Sequence, residues 1–181
     1  MAGHLTYYVA ASLDGRIAHL DGSFDGLLTE GAHVAVFEEE VARFDAVMMG
    51  RCTYEVGLAA GLPRGAPAYP GLENIVCTRT LSLEPHSGLS LVEDAVDAAR
   101  ALEAEGRNTW LCGGASLAES LFDAGLVDEV VVKLNPTLFG AGIGIVAPMR
   151  SRADLTLLST RAFDNGVVLL RYGCDRSEKR A

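Results

Sequence analysis

One feature constrains the fold of this chain more than any other: short, almost continuous apolar runs alternate with stretches of helical periodicity. LTYYVAAS (5–12), AVMMG (46–50), NIVCT (74–78), LSLV (89–92), NTWLC (108–112) and VDEVVVKLNP (127–136) read as strands, and the first has no polar face at all. GAHVAVFEEEVARFD (31–45) sets Val34, Phe37, Val41 and Phe44 at helical spacing opposite charged residues. RCTYEVG, after Gly50, turns into a shorter helix. EDAVDAARALEAEG (93–106) carries acids at its start, a stripe through Val96, Ala99 and Leu102, and Gly106 as its stop. Ser116 and Glu119 have capping-box spacing, which predicts a helix just after Gly113-Gly114, ending at Gly125. Strands buried on both faces need helices on both sides, so the expected class is α/β, with a mixed, mostly parallel central sheet. LTLLSTRAF-DNG-VVLLRY (155–172) predicts a hairpin about Asn165-Gly166 and an antiparallel edge. DGRIAHLDGSFDG (14–26) reads as one long ordered loop and residues 61–71 as a surface loop.

Length and composition bound the function. A chain of 181 residues with no repeat or linker suggests one domain over 1–175, with a frayed tail at 176–181. A formal charge of -9 and only two lysines, Lys133 and Lys179, argue against a general nucleic-acid binder. No apolar run spans a bilayer, and the N-terminal run lacks the basic start of a signal peptide, so a cytoplasmic protein is expected. Cys52, Cys77, Cys112 and Cys174 form no CxxC, and His4, His19, His33 and His86 form no HxxxH, so no metal is expected. Free cysteine is mostly a small buried hydrophobe, and His19 and His33 are expected to be solvated.

In a parallel sheet flanked by helices, ligands bind at the carboxyl ends of strands. Three such ends are suggestive: Gly50-Arg51-Cys52-Thr53, Thr78-Arg79-Thr80, and Gly113-Gly114-Ala115-Ser116. Two glycines between a strand and a helix make a plain turn, or let a phosphate approach the backbone at a helix N-terminus. Arginine with neighbouring hydroxyls suits a phosphate monoester, such as the 2′-phosphate of NADP. Alternatively, Arg51 and Arg79 are surface residues and the threonines cap turns.

ASLDGRIA (11–18), MGRCTYE (49–55), YPGLENIVCTRTL (69–81), LCGGASLAESLFDAGLVDEVVV (111–132) and NPTLFGAGI (135–143) occur in one chain and in this order. Together they resemble the dihydrofolate-reductase-like superfamily, in the branch built around the reductase domain of the bacterial riboflavin-biosynthesis deaminase/reductase. The resemblance implies a dihydrofolate-reductase-like three-layer α/β/α fold and an NADPH-dependent reductase. It implies that Ala10 and Ile17 flank the nicotinamide, that Gly50, Arg51, Cys52 and Thr53 hold the pyrophosphate and adenosine side, and that Thr78, Arg79 and Thr80 hold the adenine and 2′-phosphate. Cys112 and Gly113 through Ala115, Ser116 and Leu117 would cradle the pyrophosphate.

The acceptor side is less constrained. Asp14 is the expected proton donor, with a plain turn-capping role as its rival. Arg16, Phe24 and Glu30 are candidate substrate contacts, Arg16 for a sugar phosphate and Phe24 as a lid over the ring. The expected acceptor is a small heterocycle, a pyrimidine of the riboflavin-pathway type. A folate or pterin reductase and a non-catalytic NADP-binding protein are the alternatives. A homodimer would use Val130, Val132 and Leu134 with the LFGAGIGIV segment; alternatively, both segments are simply core.

Overall fold

The computed structural model describes residues 2–175, and the segment expected to fray lies outside them. Ten strands and four helices follow one another as β1 (His4–Ser12), β2 (Arg16–Ala18), α1 (Ala32–Val41), β3 (Ala46–Gly50), α2 (Arg51–Ala59), β4 (Glu73–Cys77), β5 (Leu89–Val92), α3 (Ala95–Ala104), β6 (Asn108–Gly113), α4 (Ala115–Asp123), β7 (Glu129–Asn135), β8 (Ile143–Gly144), β9 (Leu155–Ala162) and β10 (Val168–Cys174). Eight strands form one sheet in the order β5-β4-β3-β6-β1-β7-β10-β9. The pairs from β5 to β7 are parallel, and β10 runs antiparallel to both β7 and β9. This is the expected mixed, mostly parallel sheet with its hairpin at one edge. β2 and β8 pair separately, so the segment expected to be all loop holds a short strand.

Each face of the sheet has its own core. Tyr7, Val9, Met48 and Leu111 point toward α3 and α4, which contribute Ala99, Leu102, Ala118 and Leu121. Tyr8, Val47, Met49, Trp110 and Val131 point toward α1 and α2, which contribute Val36, Phe37, Val41 and Tyr54. On the second face the Trp110 indole donates to Tyr8 O at 3.0 Å while edge-on rings of Phe37 and Tyr69 hold its sides. Truncating such a residue to alanine costs about 3–5 kcal/mol.

Three local expectations are corrected. Val36 takes the inward place on α1 that the spacing gave to Val34, and His33 beside it is buried rather than solvated, at 3% exposure. No side chain caps α4: Gly114 is its N-cap and Ser116 lies inside the first turn, so there is no capping box. α3, by contrast, is capped as its sequence suggests, with Asp94 accepting from Val96 N and Asp97 N. Finally, β7 is not near a sheet edge. It runs between β1 and β10 with Val130 and Val132 buried, and the edge with exposed leucines is β9, through Leu155, Leu157 and Leu158.

Candidate active site

Because β1, β3, β4, β6 and β7 are parallel, their carboxyl ends meet on one rim of the molecule. There β3 turns at Gly50 into α2, and its neighbour β6 turns at Gly113-Gly114 into α4. Gly50 and Gly114 are both N-caps without a side-chain acceptor, so the first-turn N–H groups of two helices are left for a ligand at one junction. The junction is a cradle that side chains would fill. A Cβ on Gly50 would stand 3.9 Å from Gly113 O and Gly114 N, and one on Gly114 would stand 3.6 Å from Thr53 Oγ1. Gly113 has φ +117°, a conformation that other residues rarely adopt, and joins Gly114 through a cis peptide bond. Gly50, Thr53, Gly113 and Gly114 are therefore brought together as the sequence suggested.

The other cofactor-side candidates separate. Arg51 and Cys52 are exposed, and Arg51 is held by its own helix, donating to both carboxylate oxygens of Glu55 at 2.8 and 2.9 Å. Thr78 caps a turn, accepting from Thr80 N at 3.1 Å and Leu81 N at 2.9 Å. That turn exposes Arg79, which has no ion-pair partner among the described residues. Ala115 and Leu117 are buried, so they offer backbone rather than side chain. Cys112 packs in the α1–α2 face against Tyr69, whose hydroxyl is 3.8 Å from its sulfur. Burial pushes the Cys112 thiol up to about 11, which keeps it protonated and unreactive at neutral pH. Ala10 lies half-buried near the end of β1, and Ile17 packs against the opposite, α3–α4 core.

Loops 13–30 and 136–147 form the second wall, and long-range bonds fasten them. Ser12, fully buried, donates to Asp14 Oδ1 at 2.6 Å and accepts from Arg16 N at 3.0 Å. Asp14 then accepts from Phe139 N at 2.9 Å and Gly140 N at 2.7 Å. These bonds, that of Ser12 foremost, hold the Asp14 carboxyl down at about 2. So placed, the Asp14 carboxylate fastens residues 139 and 140 to the end of β1, the turn-capping role that rivals the expected proton donor. Arg16 lies against β8, where a Cβ on Gly142 would meet its stem at 3.3 Å, and its buried Nε has no partner. Phe24 and Glu30 are exposed, and Glu30 is met only at its backbone carbonyl, by Asn165. His19 stacks on Phe139 with centroids 4.0 Å apart.

Two residues on this wall escaped the sequence reading of the site. His33 places Nε2 3.2 Å from Leu28 O and Nδ1 3.2 Å from Asn165 Nδ2. The amide faces Nδ1 as a donor, which assigns the proton to Nε2. Lys133, half-buried on β7, donates to the same Leu28 carbonyl. Its visible signal was a lone cation inside the apolar run VVVKLN. At the opposite, amino-terminal rim a cavity of about 470 Å³ is lined by charged residues including Arg43 and Arg171. Arg171 there already pairs with Glu40 at 2.6 Å and with Glu129, and no helix begins at that rim.

A parallel-centred sheet with this strand order and an antiparallel edge hairpin, opened by glycine corners at its carboxyl rim, is a dihydrofolate-reductase-like fold. The chain belongs to the RibD C-terminal domain family, which it matches over residues 3–169. It is 29% identical over 167 residues to the uncharacterized protein YwjB of Bacillus subtilis, covering 90% of this chain and 93% of that one. Among solved structures it resembles a putative riboflavin biosynthesis protein from Shewanella sp. PV-4, with TM-score 0.77, 23% identity, and 97% and 99% of the two chains covered. The deaminase/5-amino-6-(5-phosphoribosylamino)uracil reductase of Thermotoga maritima gives 0.68 at 15% identity, with 96% of this chain matching 57% of that longer one. Dihydrofolate reductase of Enterococcus faecalis, solved with NADP(H), also gives 0.68 at 15% identity, over 97% and 98% of the chains. The family is a reductase family, and the comparisons place this chain in it. Among the described residues no helix is long and apolar enough to cross a membrane.

Proposed function

We infer that the protein is an NADPH-dependent reductase that delivers hydride to a small carbonyl-bearing heterocycle, a pyrimidine of the kind named for the Thermotoga relative. The observation that carries this reading is the double helix-start junction, where Gly50, Gly113 and Gly114 leave bare backbone at two neighbouring helix N-termini. Such a junction suits a pyrophosphate, whose charge two helix N-termini stabilise together. Bound there, the dihydronicotinamide supplies the hydride; the protein orients and excludes water. Thr53 Oγ1 faces the cradle and would hold a phosphate oxygen. Arg79, exposed and unpaired, is the cation left to recognise a 2′-phosphate, because Arg51 is engaged by Glu55. Ala10 is small enough to let a flat ring lie against β1. Arg16 and the exposed Phe24 would border the acceptor.

Folate reduction is disfavoured by α1. Its sheet-facing side chains near the carboxyl rim are His33, Val36 and Phe37, and its one partly buried acid, Glu40, is bound to Arg171 at the other end. The four free cysteines fit a cytoplasmic setting, and the exposed leucines of β9 are the surface on which a second copy would pair. Calorimetric titration with NADPH and, separately, NADH tests the reading. Binding of NADPH at least tenfold tighter than NADH is the expected result. Absence of both would sink it, and binding without turnover of any pyrimidine would leave a cofactor-binding protein that is not an enzyme.

A further inference from the structure

Lys133 has a place and a chemistry that the glycine junction does not use. Its register partner on the neighbouring strand is Ala10, and on the other side Leu169. Tyr8, Val131 and Leu169 put that face on the α1 side of the sheet, so Lys133 stands beside Ala10 beneath the start of α1. Adjacent strands lie about 4.8 Å apart, so an ammonium at this register reaches across a ring laid on Ala10. The strand is otherwise apolar here, with Val130, Val131 and Val132 buried before it.

The cation is not compensated. Among the described residues no carboxylate pairs with Lys133; its one partner is the Leu28 carbonyl. Burial lowers its pKa, the usual cost of an ammonium withdrawn from water without a counter-charge. A half-buried cation left with a single neutral acceptor is a mark of a binding site more than of a stabilising contact. The Leu28 carbonyl does not depend on it either, since His33 Nε2 lies 3.2 Å from the same oxygen. Asn135 Oδ1 separately holds Leu28 N at 2.9 Å. Lys133 can therefore turn to a ligand while the carbonyl stays satisfied and the loop stays fastened.

We propose that Lys133 is the acceptor-binding residue: its ammonium takes a ring carbonyl oxygen of a planar nitrogen heterocycle laid against Ala10. This rests on the reductase reading above and adds to it the group that selects the acceptor. The dihydronicotinamide C4–H bond would break as a C–H bond forms at a carbon conjugated to that carbonyl, NADPH being oxidised to NADP⁺ and the acceptor reduced. The negative charge that builds on the oxygen is stabilised by a desolvated ammonium in contact with it and is discharged by a proton from water. The site then prefers heterocycles whose reducible bond is conjugated to a carbonyl over otherwise similar rings that lack one.

The sequence contains only two lysines, which makes the test clean. The full-length protein, reductively methylated with ¹³C, gives separate signals for Lys133, Lys179 and the N-terminal amine, with Lys133→Met assigning the first. It is titrated with 5-amino-6-(5-phosphoribosylamino)uracil in the presence of NADP⁺. Only the Lys133 signal is expected to shift. Lys133→Met is expected to keep NADPH affinity within twofold and to raise KM for the uracil at least tenfold, with kcat also reduced. Lys133→Arg is expected to recover part of that loss. NADPH binding with an unmoved Lys133 signal, or unchanged KM and kcat in Lys133→Met, overturns the proposal and leaves the reductase reading standing. NADPH binding with no binding of the uracil overturns the acceptor class, and the proposal with it. Failure of the wild-type protein to bind NADPH removes both. If Lys133→Met does not fold, the wild-type signal decides.

Discussion

The cofactor side of the candidate site is made of backbone at the ends of regular elements, whereas the acceptor side is made of side chains that pin loops. On the first side, β3 into α2 and β6 into α4 set Gly50 and Gly113-Gly114 at neighbouring strand ends, where a Cβ on Gly50 would touch Gly113 O and Gly114 N. Nothing has to be ordered there beyond the sheet itself. On the second, Asp14, Asn135 and Lys133 hold segments 13–30 and 136–140 through bonds between residues more than a hundred positions apart. The contrast separates what the fold prescribes, a place for a dinucleotide, from what a few substitutions can retune, the identity of the acceptor.

The sharpest way to break that division is to fill the backbone cradle. Gly50 has φ -78° and ψ 163°, a conformation open to any residue, so Gly50→Leu adds bulk without backbone strain. We expect NADPH affinity to fall at least a hundredfold, or about 2.7 kcal/mol, while the thermal midpoint changes little. Retained binding by calorimetry would show that the phosphates lie elsewhere. A smaller effect divides the two arginines. Arg79→Ala should cost about tenfold in NADPH affinity and leave NADH untouched, about 1.4 kcal/mol. Arg51→Ala should alter both cofactors equally and slightly, since it mainly removes an exposed i,i+4 pair with Glu55. The reverse pattern would exchange their roles.

The smallest expected effect concerns the loop clamp, and its sign follows from the carboxyl's shift. Asp14 is held at about 2 in the folded chain, against an ordinary aspartate value of about 3.9. A lowered folded value stabilises above the unfolded value and is lost as pH falls toward 2. Asp14→Asn should therefore flatten the loss of stability between about pH 4 and pH 2 in acid unfolding curves, and leave the pH profile of turnover above pH 5 unchanged. A wild-type turnover that falls as pH rises through a pKa which this variant lacks would make Asp14 the proton donor.

Much of the backbone side was legible in the sequence because each part of it is local. Apolar runs gave the strands, helical spacing gave the helices, and a Gly-Gly pair before ASLAESLF marked the α4 start, although the cap was misread because Ser116 falls two positions past the N-cap Gly114. β2 and β8, of three and two residues, are too short for any period to register. The acceptor side was mostly not legible. Asp14 looks the same in a sequence whether it serves the chemistry or clamps Phe139 and Gly140, because its partners lie 125 and 126 residues away. His33 was expected to be solvated, since its burial depends on Asn165 in the distant hairpin turn. Lys133 stood out only as a charge where none was needed.

The position of β1 has a consequence for how the chain is made. It is central in the sheet, yet its hydrogen-bonding neighbours are residues 108–111 of β6 and 129–135 of β7. During synthesis this apolar strand leaves the ribosome long before either partner exists, and the first pairing open to the chain, β3 with β4, does not include it. At about 5–20 residues per second, β1 stays unpaired for several seconds or more. In that interval the segment destined for the centre of the molecule is an unpaired apolar strand, the kind of surface that aggregates until its partners β6 and β7 emerge.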